Sequence, residues 1–216
     1  MIKYKKEDIA SLQIKFTESP SDLEAYYQLV ETVYKRDLNV DLSEYRIGSS
    51  DNTYCLVAKH KGTVVGGLLG VVISPESENL LPLESDTFRL RDVLPEYCQG
   101  VRKYAELTRI VVDPCFRIGD HIVYELLSMF VELAVRKNID TYFSLSPLTL
   151  CRTYRRVGRR LGVEIVPRTD INYPAKSPYK ENDVTLFINA CRMTRNTNNQ
   201  AEGGNESQIM YEELVI

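Results

Sequence analysis

A mixed α/β domain, with a central sheet of six or seven strands flanked by helices, is the fold class the sequence predicts, and three observations predict it. Short runs of alternating or continuous apolar residues recur along the chain, two of them meeting at Lys61-Gly62. Two segments, 21–36 and 117–137, carry apolar residues at helical spacing. Between residues 104 and 162 a strand, an Asp-Pro turn, a helix, a strand and a second helix follow one another. With 216 residues, 44% hydrophobic and 26% charged, the chain suits one domain over 1–191 and a tail over 192–216.

Taken in order, LQIKFT at 12–17 alternates as a short strand. Ser19-Pro20-Ser21-Asp22 is helix-start chemistry, since hydroxyls and carboxylates accept the first unbonded N–H groups and Pro lacks one. The helix predicted over 21–36 carries Leu23, Tyr26, Tyr27, Val30 and Val33 on its apolar face. Asp37 to Asn52 is polar, with Gly48-Ser49-Ser50-Asp51 as a loop. TYCLVAKHKGTVVGGLLGVVI then reads as a hairpin turning at Lys61-Gly62.

Residues 74–100 hold three prolines and are expected to form a loop with one short helix near Phe88 to Leu94. YAELTRIVV, Tyr104 to Val112, is a strong strand ending at Asp113-Pro114. A helix over 117–137 follows, with Ile122, Leu126, Phe130 and Leu133 on one face, then a strand at 140–145. An arginine-rich helix over 147–160 and a strand at 163–166 come next, and VTLFINA at 184–190 is expected to close the sheet. The tail NTNNQAEGGNESQ is poor in apolar residues and is expected to be disordered; its ending, MYEELVI, is either a frayed terminus or a partner-docking segment.

Composition excludes several function classes. A formal charge of −3 makes no global electrostatic case for nucleic acid, so any basic site is local. No apolar run approaches the roughly 20 residues that span a bilayer, and no export leader is visible. The five cysteines form no CxxC or Cys/His cluster, which fits reduced thiols in a cytoplasm. Two histidines, His60 and His121, leave few members for a zinc site or a Ser-His-Asp triad, and no metal is expected. Cys115 and Cys151 have no histidine partner in sequence and are not expected to act as nucleophiles.

The informative block is the turn Asp113-Pro114-Cys115-Phe116-Arg117-Ile118-Gly119-Asp120. A helix N-terminus beside a strand end suits a phosphate, because its N–H groups and dipole favour negative charge. Arg117 adds a cation and Gly119 allows close backbone approach. A plain helix start accounts for the same Asp and Pro.

VVDPCFRIGDHIVYELL resembles the acyl-CoA-binding segment of the GNAT superfamily, of the form V-x-P-x-Y-R-G-x-G-x-G. Val112, Pro114, Phe116 and Arg117 fit, while Ile118, Asp120 and Ile122 stand where that form has glycines. Glu106-Leu107-Thr108-Arg109 followed by Ile110-Val111-Val112 resembles the E-L-S-R-F-x-V strand of acyl-homoserine-lactone synthases, and related N-acyl amino acid synthases are similar. The lactone synthases' tryptophans are missing, which argues against lactone formation. Cys151-Arg152-Thr153-Tyr154-Arg155-Arg156-Val157-Gly158 resembles the A-x-x-x-Y-x-x-x-G-F segment of many GNAT enzymes, whose Tyr faces the sulfur.

These resemblances imply an N-acyltransferase whose donor is acyl-CoA or an acyl-carrier-protein phosphopantetheine, the missing glycines and Asp120 favouring the carrier. Ile110, Val111, Val112, Arg117, Ile118 and Gly119 are then the expected donor-binding positions, and Thr108 and Arg109 hold or orient the acceptor. An amine arrives as its ammonium near neutral pH and must lose a proton before it attacks, so a carboxylate is needed beside it, and Glu106 is the candidate base. The alternative is that Glu106 pairs with Arg109 or orients the amine. Tyr154 is the candidate acid for the departing thiolate, or else a residue packed on a helix face. A backbone N–H near Ile110 to Val112, at a bulge, is expected to meet the oxyanion. Arg152, Arg155, Arg156 and Arg159, with Arg160, make a basic helix that grips an acidic carrier or is simply a solvated face. An acetyl-CoA-dependent acetyltransferase and a catalytically silent acyl-CoA-binding module stay open beside the leading reading.

Overall fold

Lys61 and Gly62 both take positive φ, 49° and 86°, the two-residue hairpin geometry whose twist matches that of its strands. In the computed structural model, which describes residues 12–48, 52–98, 103–117, 119–174 and 184–190, this turn joins β2 (Thr53–His60) to β3 (Thr63–Ile73). The loop residues Ser49, Ser50 and Asp51, the donor position Ile118, and Cys191 with the tail 192–216 lie outside the described residues. β1 (Leu12–Phe16) runs antiparallel along β2, and β4 (Tyr104–Val112) antiparallel along β3. Beyond β4 come β5 (Thr141–Ser146), parallel to it, and then β6 (Glu164–Arg168) and β7 (Thr185–Ala190). The seven described strands follow the order β1-β2-β3-β4-β5-β7-β6. The last strand therefore does not close the sheet at its edge: it inserts between β5 and β6, antiparallel to both. The edge falls to β6, where Pro167, having no N–H to give a further neighbour, is tolerated.

Helices cover both faces. α1 (Pro20–Leu38) starts on Pro20 and stops at Asn39, whose left-handed backbone returns its N–H to the Tyr34 carbonyl. Its buried Tyr26, Val30 and Val33 pack with Cys55, Val57, Leu69 and Val111 on one face of the sheet. The same face carries two one-turn helices, α2 (Leu90–Val93) and α3 (Pro95–Cys98). On the opposite face lie α4 (His121–Lys137) and α5 (Cys151–Arg160), whose Ile122, Leu126, Phe130 and Val157 pack with Leu56, Leu68, Ala105 and Leu107. Glycines in β3 permit this two-sided approach. A Cβ on Gly67 would stand 2.6 Å from the Tyr26 ring of α1, and one on Gly70 would enter the Phe130 ring of α4.

Two helices start later than the periodicity predicts. Instead of a helix from 117, Pro114–Phe116 form a 3-10 turn and Gly119 has φ 69°, so α4 begins only at His121. Pro147 and a 3-10 turn at Leu148–Leu150 likewise delay the arginine-rich helix to Cys151. The stretch from residue 74 to 98 holds the short helix expected near Phe88 to Leu94, as α2, adds α3, and is packed. Leu81, Leu83, Phe88, Leu90, Leu94 and Cys98 are buried with Tyr104, Phe143 and Tyr173 in a cluster of their own. Buried Glu84 ties the stretch together by accepting the Leu81 and Leu90 N–H groups, both at 2.8 Å.

Candidate active site

β4 and β5 pair only over Tyr104↔Thr141, Ala105↔Tyr142 and Glu106↔Phe143, although β4 continues to Val112 and β5 to Ser146. The strands fork at Glu106. β4 is bulged on its other side, where Arg109 and Ile110 together face the single residue Leu68, between Gly67↔Val111 and Leu69↔Thr108. A bulge bends its strand and breaks the alternation of its side chains. Ala105 and Leu107 join the α4 face, and beyond the bulge Val112 does so while Val111 turns to α1.

Arg109 takes the bulge conformation at φ 56°, left-handed and costly for a residue with a Cβ, on the order of 1–3 kcal/mol. Neighbours hold it there. The Tyr26 hydroxyl, fully buried in α1, donates to the Arg109 carbonyl at 2.8 Å, and the Arg109 guanidinium donates to the Tyr45 carbonyl. Past the bulge, Asp113 N–H goes to Val65 O at 2.8 Å. Strand alternation then directs Val112 N–H the opposite way, into the fork.

A cavity of about 380 Å³ occupies the fork. Tyr34 and Asp37 of α1, Arg109 through Val112 of β4, Ser144 to Ser146 of β5 and Tyr154 of α5 line it, with Arg117 and Gly119 from the turn. Glu106 and Thr108 are not in its lining. Glu106, 3% exposed, stands at the vertex of the fork, and its carboxylate accepts the Leu83 N–H at 2.6 Å. The Leu83 carbonyl in turn accepts the Tyr173 hydroxyl at 2.7 Å. The excursion thus packs over the Glu106 face, opposite α4 and α5.

Tyr154 reaches the cavity from the other face. Burial pushes its phenol above the usual range, partly offset by Ser146, whose hydroxyl donates to the Tyr154 oxygen at 3.2 Å. Its ring meets Phe187 of β7 edge-on, centroids 5.9 Å apart. Ser146 is a site residue that sequence reasoning missed. The signal was there: in FSLS, at 143–146, the polar Ser144 and Ser146 alternate with apolar Phe143 and Leu145.

The anion site expected at the turn is largely self-compensated. Arg117 donates to Val112 O at 2.9 Å and pairs with Asp37 at 2.7 Å. The Asp37 carboxyl lies below its ordinary range, held there first by Arg36 and then by Arg117. Asp120, at the start of α4, pairs with Arg156 at 2.7 Å and Arg160 at 3.5 Å, and the Arg156 bond lowers its carboxyl. Arg160 also lies over the Tyr124 ring, 3.9 Å from its centre. The arginine helix therefore has two stripes: Arg156 and Arg160 face Asp120, whereas Arg152, Arg155 and Arg159 are exposed and make no ion pair among the described residues. Leu148 and Leu150, also exposed, precede them.

Among the described residues no group of three or more His, Cys, Asp or Glu could hold a metal ion, and no helix is long and apolar enough to cross a membrane. A mixed sheet that forks between two parallel strands, beside a bulge on the first of them, is a GNAT-like fold. Within that class the chain belongs to the N-acyl amino acid synthase FeeM family, whose model matches residues 25–175, and it is an N-acyltransferase. Among solved structures it is similar to FeeM, an N-acyl amino acid synthase from uncultured soil microbes, at 15% identity over 83% of this chain and 89% of that one, TM-score 0.61. It also resembles Escherichia coli ElaA, at 14% identity over 83% and 97% of the two chains, TM-score 0.54. The AHL synthase LasI aligns at 18% identity over 82% and 88%, TM-score 0.50. No curated protein matches the sequence.

Proposed function

We propose that the enzyme transfers a long acyl group from a carrier-protein phosphopantetheine, or from CoA, to the amine of an amino acid by direct attack. The observation that carries this reading is the fork, with Glu106 at its vertex on one face and Tyr154 on the other. The amine lies at the vertex of the fork as its ammonium and gives one proton to the Glu106 carboxylate, directly or through water. Its nitrogen attacks the thioester carbonyl, whose oxyanion takes the Val112 N–H, with Ile110 and Val111 shaping the wall beside it. The C–S bond then breaks, the thiolate takes the Tyr154 proton, and the nitrogen's second proton leaves to water as the amide forms.

An amino acid is favoured over a simple amine by Arg109. Arg109 is 8% exposed, and its guanidinium donates to the neutral Tyr45 carbonyl. A buried cation gains from a counter-charge, which the acceptor's carboxylate supplies, with Thr108 beside it on the strand. The carrier is favoured over free CoA because Asp37 and Asp120 already occupy the cations of the turn, leaving Arg117, Ile118 and Gly119 to meet at most one phosphate. The exposed Arg152, Arg155 and Arg159, beside Leu148 and Leu150, suit an acidic carrier surface. In this reading the enzyme works in the cytoplasm, where the free thiols of Cys55, Cys98, Cys115 and Cys151 stay reduced. A second reading of Glu106, an anchor for the excursion, is favoured by its bond to the Leu83 N–H.

Thiol release from long-chain acyl-carrier protein, long-chain acyl-CoA and acetyl-CoA, each with pooled amino acids, tests the proposal, with product mass identifying the acceptor. Release from the long-chain donors that is lost in Glu106→Gln is the expected result. Release from acetyl-CoA alone would make it an acetyltransferase, and full activity in Glu106→Gln would leave the anchor reading. Donor binding without turnover would make it a silent module.

A further inference from the structure

We propose that Ser146 is a positioning residue that turns the Tyr154 hydroxyl toward the cavity and holds the phenolate left when its proton is given up. The inference rests on the reading of Tyr154 as the acid. Ser146 is 5% exposed and ends β5, its backbone in register with Thr185 of β7. Its Oγ donates to Tyr154 Oη at 3.2 Å, and both residues line the cavity. A phenol has one proton to give. Because its oxygen accepts from Ser146, that proton is directed elsewhere, and the open direction is the fork. The edge-on contact with Phe187 restrains the ring, so neighbours on β5 and β7 together aim the hydroxyl.

The bond strengthens as the reaction proceeds. When the C–S bond of the thioester breaks, sulfur takes the Tyr154 proton: an S–H bond forms, the O–H bond breaks and the negative charge moves to Oη. Burial opposes that charge, because desolvation disfavours the ionised form. A Ser–phenolate bond is charge-assisted and stronger than the Ser–phenol bond before it, so it lowers the barrier rather than merely filling space. Water returns the proton to the phenolate before the next turnover.

Two readouts test this. The first is kcat against pH for the wild type, Ser146→Ala, Ser146→Thr and Tyr154→Phe. Ser146→Ala should lower kcat roughly tenfold, the loss of one charge-assisted bond, with both KM values within about twofold. Its alkaline limb should move to higher pH, Ser146→Thr should restore both, and Ser146→Ala should do nothing further in Tyr154→Phe. The second is a carbon-13 titration of the Tyr154 ring, assigned by its loss in Tyr154→Phe, and it needs no turnover. Its midpoint should rise in Ser146→Ala. An unmoved midpoint and limb, or an equal kcat loss with and without the Tyr154 hydroxyl, would overturn the proposal. A wild type that turns over no donor would refute the proposed function, while the titration would still decide the role of Ser146.

Discussion

Asp22→Asn tests how α1, and through Tyr26 the bulge, is held over the fork. Asp22 is 7% exposed and draws together three elements: it pairs with Lys59 of β2 at 2.6 Å and Lys15 of β1 at 3.0 Å, and accepts the Thr17 hydroxyl at 3.2 Å. Lys59 first and Lys15 second hold its carboxyl at about 2, against an ordinary 3.8. The folded value is depressed, so the contribution to stability is complete above the unfolded value and is lost as pH falls toward the folded one. The difference corresponds to at most ~2.5 kcal/mol. Lys15 is 48% exposed, and water screening reduces the figure to ~1–2 kcal/mol. Urea unfolding at about pH 7 should show the Asn variant less stable by that amount, and the gap should close between about pH 4 and pH 2. A gap of the same size near pH 2, or none at neutral pH, would refute the electrostatic account of this anchor.

Gly70→Ala drives a Cβ into the Phe130 ring, so thermal unfolding should report a loss of ~1–3 kcal/mol. Arg109→Gly keeps the φ of 56° without its strain, and should leave urea stability unchanged or slightly raised while increasing the acceptor KM by tenfold or more. Charge reversal at Arg152, Arg155 and Arg159 together should raise the KM for an acyl-carrier donor at least tenfold, with weaker salt dependence, and leave that for acyl-CoA within about twofold.

Sequence by itself determined the local structure: the hairpin turn at Lys61-Gly62, strand Tyr104–Val112 and the faces of α1 and α4 follow from periods of two and 3.6 that neighbouring residues suffice to express. It also marked Arg109 and Tyr154, because motif spacing survives in the chain. Tertiary structure decided what spacing cannot encode. Leu81, Leu83, Leu90 and Leu94 are core because Phe143 and Tyr173, distant in sequence, pack with them. β7 enters between β5 and β6 because strand order is a matter of pairing partners, not of period. Asp120 and Arg156 cancel each other only where α4 and α5 meet. The site itself depends on the bulge at Arg109. One left-handed residue, pinned by Tyr26 from 83 positions away, shifts a strand's alternation and aims Val112 N–H into the fork.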